Sequence, residues 1–110
     1  MDKIKIQIRK GTLEYIILLV LYEKEYYWRD ILKVLKNHNL DIVEWTLYPI
    51  LNRLEKEQFI EYTLKVSPLW PKRKYYEITA KWKDSIKLIK ESYDELNTII
   101  KTLLSKIKLW

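Results

Sequence analysis

The sequence has no cysteine, one glycine, three prolines and one histidine. Without cysteine there is no disulfide framework, thiol nucleophile or thiolate metal site. A single glycine rules out the glycine-rich loops that cradle phosphates. With His38 the sole imidazole, metal ligation would fall to carboxylates, and these show no clustered spacing. Together these absences argue against an enzyme, and no cofactor is expected. Also missing is any apolar run near the about 18 residues of a membrane span; the longest, near Tyr15 to Tyr22, suits a buried helix. Met1 to Lys10 has neither a continuous apolar core nor a small-residue cleavage site, so no signal peptide is expected and a cytoplasmic protein is the default.

What is present is a 110-residue chain, enough for one domain with a modest core. It is 48% hydrophobic and 33% charged, a globular rather than a disordered composition. A net charge of +6 favours anionic partners, either nucleic acid or an anionic membrane surface. Five tryptophans against one glycine invert the usual proportion, since glycine averages about 7% of residues.

Gly11 to Lys24 has helical apolar spacing through Leu13, Ile16, Ile17, Val20 and Leu21. Ahead of it, Ile4, Ile6 and Ile8 alternate with polar residues, which leaves a strand, an arm or a helix start open. A second helix is expected from Tyr26 or Tyr27 to about Asn37, with Ile31, Leu32 and Leu35 inward. After a polar break, a third runs from about Val43 to Glu57. Leu47, Ile50, Leu51 and Leu54 form its apolar stripe; Thr46, Pro49, Asn52, Arg53 and Lys56 form the opposite face. Pro49 is placed early in this helix, where a lost N–H costs least.

The period then shortens to two. Tyr62, Leu64 and Val66, and later Arg73 to Thr79, alternate as strands around a loop containing Pro68 and Pro71. No acidic residue lies between Tyr62 and Tyr76, and Lys65, Lys72, Arg73 and Lys74 make the hairpin basic. Thr79 is the expected N-cap of a long last helix reaching about Leu109. Ile86, Ile89, Tyr93, Leu96, Ile100, Leu103 and Ile107 alternate steps of three and four along it, a heptad seam. Such regularity favours a dimer interface over a stripe packed on the chain's own body.

The expected fold class is mostly α with a small β-hairpin wing: a winged helix-turn-helix over residues 1–78, followed by a C-terminal dimerisation helix over 79–110. In such a site a rigid helix presents polar side chains to base edges in the major groove, while cations and helix ends grip phosphates. Each part has a plainer reading. Arg53 could pair with Glu57, and Lys72-Arg73-Lys74 could be an ordinary charged turn. The order of the parts is what favours DNA.

Three blocks carry a more specific signal: Tyr26-Tyr27-Trp28-Arg29-Asp30-Ile31, then Glu44 through Glu55 with its Thr46-Leu47-Tyr48-Pro49 core, then Pro71 through Thr79. With Lys10-Gly11-Thr12-Leu13-Glu14 they make the chain resemble the PadR family from about Arg9 to Tyr93. The resemblance implies a homodimeric regulator, usually a repressor, that binds a double-stranded DNA operator through the helix starting near Glu44. It implies that Thr46, Tyr48, Pro49 and Arg53 face DNA, with Tyr27 and Arg29 near the phosphate backbone; Asn52 and Lys56 are added from the helical face, and Lys72, Arg73 and Lys74 from the wing. Some relatives bind small aromatic effectors beside an aromatic of the last helix, the place of Tyr93, although an ordinary seam residue is the simpler reading.

Two rival functions remain. The heptad helix could recruit a protein partner without specific DNA binding. A membrane-surface role is weakened because Glu91, Asp94 and Glu95 interrupt the basic face formed by Lys87, Lys90, Lys101, Lys106 and Lys108.

The chain departs from the family pattern at Trp28, Trp45, Trp70 and Trp82, where glycine is common. Glycine serves close backbone approach or positive φ, so bulk at Trp45 and Trp70 would hinder contact with DNA, and Trp82 would crowd the last helix against the core. Three origins stay open: tryptophans that fill an interface, engineered replacements, or UGA codons that mean glycine in the source organism but have been read as tryptophan. UGG codons at all four positions would dismiss the last.

Overall fold

The computed structural model describes residues 3–66, 68 and 71–108, with side chains from Gly11 onward. Its elements are α1 (Lys3–Glu23), β1 (Tyr26–Tyr27), α2 (Trp28–Asn37), α3 (Glu44–Lys56), β2 (Ile60–Lys65), β3 (Arg73–Ile78), α4 (Ala80–Lys83) and α5 (Ile86–Leu104). It is a mostly helical fold with a small antiparallel wing and a long C-terminal helix, as expected. The open choice at the N-terminus resolves to helix: residues 3–10 continue α1.

The core is built from the periodic positions. Leu13, Ile17, Leu18 and Leu21 of α1 meet Ile31 and Leu35 of α2 and Leu47, Leu51 and Leu54 of α3, all buried. Ile60, Tyr76 and Ile78 of the sheet close it. Both α2 and α3 end in paired reverse hydrogen bonds around a left-handed residue. Leu40 N–H donates to Leu35 O and Asn39 N–H to Lys36 O; Phe59 N–H donates to Leu54 O and Gln58 N–H to Glu55 O. Asn39 (φ 62°) and Gln58 (φ 64°) hold the positions where such a terminus most favours glycine. Asn tolerates this conformation better than Gln.

Pro49, expected early in the helix, lies beyond its first turn. It is the sixth residue of α3, so the carbonyl of Trp45 lacks its usual donor four residues on.

The sheet has the order β1-β3-β2. β3 pairs with β2 from Ile60↔Ile78 to Lys65↔Arg73, and with β1 at Tyr26↔Tyr76 and Tyr27↔Tyr75. The tyrosines expected to start the second helix thus form a strand. From Glu61 to Lys65 every β2 side chain is exposed, because this part of the hairpin projects beyond the body. Trp70, expected at the wing tip, lies outside the described residues.

The single long last helix is corrected. Thr79 does cap a helix, accepting from Trp82 N–H at 3.4 Å. That helix is only α4; a turn at Asp84–Ser85 separates it from α5. Both turn residues are poor helix formers that compete for backbone groups, and the Ser85 hydroxyl donates back to Lys81 O at 3.3 Å. Trp82 packs on Phe59, ring centroids 4.1 Å apart. α5 ends at Leu104, and Leu109 lies outside the described residues.

Tyr76 is fully buried, and its hydroxyl makes no hydrogen bond to any described residue. Burial pushes its phenol up to about 12, with Tyr48, Glu55 and Tyr62 adding to the rise. The folded state therefore holds this proton more tightly than the unfolded chain. The contribution is intact below pH 10 and is lost as pH climbs from there through about 12. Tyr76→Phe removes an unpartnered polar atom without changing shape. At neutral pH it is expected to leave stability unchanged or raise it by about 1 kcal/mol. Urea melts at pH 8 and pH 11 check this: a clear loss at pH 8, or an undiminished alkaline fall, contradicts it.

Candidate nucleic-acid interface

α3 divides cleanly. Leu47, Leu51 and Leu54 are fully buried, while Trp45, Thr46, Tyr48, Pro49, Asn52, Arg53 and Lys56 are exposed. Trp45, Pro49, Asn52 and Lys56 follow one another at helical spacing and form one outward stripe. Trp45 is 78% exposed, which composition alone would not suggest for a tryptophan.

Beside this stripe an aromatic ledge joins helix to wing. The Trp28 ring lies 6.4 Å from Tyr48 and 5.6 Å from Tyr27, and Tyr27 lies 6.1 Å from Tyr75. Cations cover it: the Arg73 guanidinium stands 4.6 Å over Tyr27 and that of Arg29 5.2 Å over Trp28. Cation–π contacts of this kind hold a guanidinium in place while leaving its charge unneutralised. The ledge brings Tyr27, Arg29, Tyr48 and Arg73, far apart in sequence, to one surface.

The remaining expected cations divide. Lys56 and Lys72 are exposed. Lys74 stands 4.3 Å over the Tyr62 ring and 4.0 Å from Glu55, so its charge is partly matched within the fold. Lys65 is paired with Glu25 and lies over Tyr75. The hairpin is free of acid only between Tyr62 and Tyr76, and α3 and the α1–β1 link deliver carboxylates to that part of it. Arg53 is paired not with Glu57 but with Glu14 of α1. These partners lie tens of residues away, beyond the reach of local pattern.

The heptad seam also divides. Ile86, Ile89 and Tyr93 are half-buried on the chain's own body. The Tyr93 hydroxyl donates to Thr12 Oγ1 at 3.0 Å, and its ring lies 5.0 Å from that of Tyr15. Leu96, Ile100, Leu103 and Ile107 are more than half exposed, as is Ile99. An apolar groove of about 860 Å³, lined by Ile16, Val20, Tyr26, Leu35, Leu40 and Ile86 among others, opens between α1, α2 and the start of α5, away from Tyr93. Among the described residues no helix is long and apolar enough to cross a membrane.

This architecture matches known proteins closely. Residues 17–88 match the Transcriptional regulator PadR-like family. A PadR-like transcription factor from Bacteroides fragilis is 39% identical with a TM-score of 0.79, over 93% of this chain and 99% of that one. A PadR-like transcriptional regulator from Bacillus cereus is also 39% identical, with a TM-score of 0.74, over 89% of this chain and 96% of its own. Bacillus subtilis PadR in complex with operator DNA is 26% identical with a TM-score of 0.61, over 68% of this chain and 44% of that one. The exposed α3 stripe, the basic wing and the long last helix thus have their place in a known framework, and the chain belongs to the PadR-like family of transcriptional regulators.

Proposed function

We propose that the protein binds a specific double-stranded DNA operator as a homodimer and acts as a repressor. The observation that carries this reading is the α3 stripe of Pro49, Asn52 and Lys56, exposed beside Thr46 while Leu47, Leu51 and Leu54 on the opposite face of the same helix are fully buried. Asn52 can offer an amide to a base edge, and Lys56 a cation to phosphate. Tyr27, Arg29, Lys72 and Arg73 flank the stripe and would hold the backbone on either side. Residues up to Ile78 form the DNA-binding part and those from Thr79 the dimerising part. Leu96, Ile100, Leu103 and Ile107 supply the apolar face that a second copy would cover.

The complex with operator DNA described for Bacillus subtilis PadR supports duplex DNA as the partner. Effector binding at Tyr93 has less support, because Thr12 and Tyr15 already engage that side chain.

Titration of a labelled duplex over a range of salt tests the reading. Affinity should fall linearly with salt on logarithmic axes, as counterions are released from phosphate. Lys56→Ala should weaken all sequences alike and lower the salt slope by about 1. Salt-independent binding, or a Lys56→Ala loss confined to one sequence, would contradict the assignment.

A further inference from the structure

One turn of α1 lies between the last helix and the recognition helix. On one flank Thr12 and Tyr15 hold Tyr93 of α5 by a hydrogen bond and a ring contact. From the other, Glu14 pairs with Arg53 of α3. Only 32% of the Glu14 side chain is exposed, against 51% for Arg53. The carboxylate end is therefore the more enclosed of the two. Arg53 follows Asn52 directly on α3 but is turned toward α1, where its planar fork can fix direction as well as distance.

We propose that Glu14 and Arg53 are positioning residues: their ion pair sets the attitude of α3 against α1, and the same α1 turn ties that attitude to α5. On this assignment Arg53 acts on DNA through its neighbours, not by reading a base. Through Tyr93, whatever shifts α5 is passed to the α3 stripe. The inference rests on the DNA-binding reading given above.

A charge-swap cycle tests it, using a duplex recovered by the wild-type protein from a randomised pool. Failure of the wild-type protein to recover any duplex would overturn the DNA-binding reading itself, before the pair is tested. Glu14→Arg and Arg53→Glu should each weaken binding about tenfold, and the double swap should return to within about threefold of wild type, the coupling expected of residues in contact. The salt slope of the swapped protein should match wild type, since no phosphate contact has been removed. Glu14→Gln, which keeps size and shape, covers the case of a single reversal that fails to fold; it should bind about fivefold more weakly with its helical circular dichroism intact. A double swap as weak as Arg53→Glu alone would make Arg53 a direct DNA contact and overturn the proposal. So would Glu14→Gln binding as well as or better than wild type, which would make Glu14 idle or a competitor for Arg53.

Discussion

Ile100→Asp is expected to leave the protein monomeric at micromolar concentration and to remove high-affinity duplex binding. Ile100 is 53% exposed on α5, flanked by the exposed side chains of Leu96, Ile99, Leu103 and Leu104. Among the described residues no element covers this face. In a two-fold dimer the substitution appears twice, on self-complementary surfaces. Two carboxylates would then be buried against apolar neighbours with no cation to answer them. A penalty of about 3–5 kcal/mol, usual for an uncompensated buried charge, weakens dimerisation by about two to four orders of magnitude. DNA affinity falls with it, because the second half-site no longer binds as part of one molecule. Sedimentation velocity checks the mass, and circular dichroism checks that the fold survives. A folded Ile100→Asp protein that stays dimeric would move the interface off this stripe. The same change at Ile86 should act differently: that side chain packs on the core of its own chain, so Ile86→Asp should unfold the body.

The contrast between Ile86 and Ile100 shows what the sequence made legible. The heptad spacing picked out Ile86 to Ile107 as one apolar stripe and passed over the exposed Ile99 and Leu104, and period says only that residues share a face. What covers the face depends on where the chain turns. Ile86, Ile89 and Tyr93, nearest the Asp84–Ser85 turn, are half-buried while the later positions are exposed. α3 was legible in its boundaries and buried leucines, because a helix thirteen residues long repeats its pattern several times. β1 was not, since two tyrosines carry no period and their pairing with Tyr75 and Tyr76 is a long-range event. The state of the cations was hidden for the same reason. Lys65 and Glu25 are forty residues apart, and only the folded hairpin brings them together.

The tryptophans separate by the same logic, and Trp45→Gly is expected to tighten duplex binding about ten- to a hundredfold, the gain of one or two charge-assisted hydrogen bonds. The need for glycine at Trp28, Trp45 and Trp82 is not conformational, because the positive φ values among described residues fall at Asn39 and Gln58. What is left is space. Trp45 lies in the first turn of α3, where N–H groups lack partners within the helix and a phosphate is well placed to accept them. Val43, the N-cap, offers no side-chain hydrogen bond to compete. An indole 78% exposed at this end keeps a phosphate from closing on the backbone. Removing it costs the fold little: the side chain packs on almost nothing, and glycine in a helix costs about 1 kcal/mol. Trp82→Gly is the counter-case. Its ring is packed on Phe59 and against the core, so that replacement should lower stability by about 2–4 kcal/mol unless its neighbours collapse into the gap. Duplex titrations and thermal melts of the two variants side by side separate the effects. If Trp45→Gly binds no more tightly than wild type, the indole is itself a contact, stacking on sugar or base at the edge of the groove, and the helix end is not where the phosphate sits.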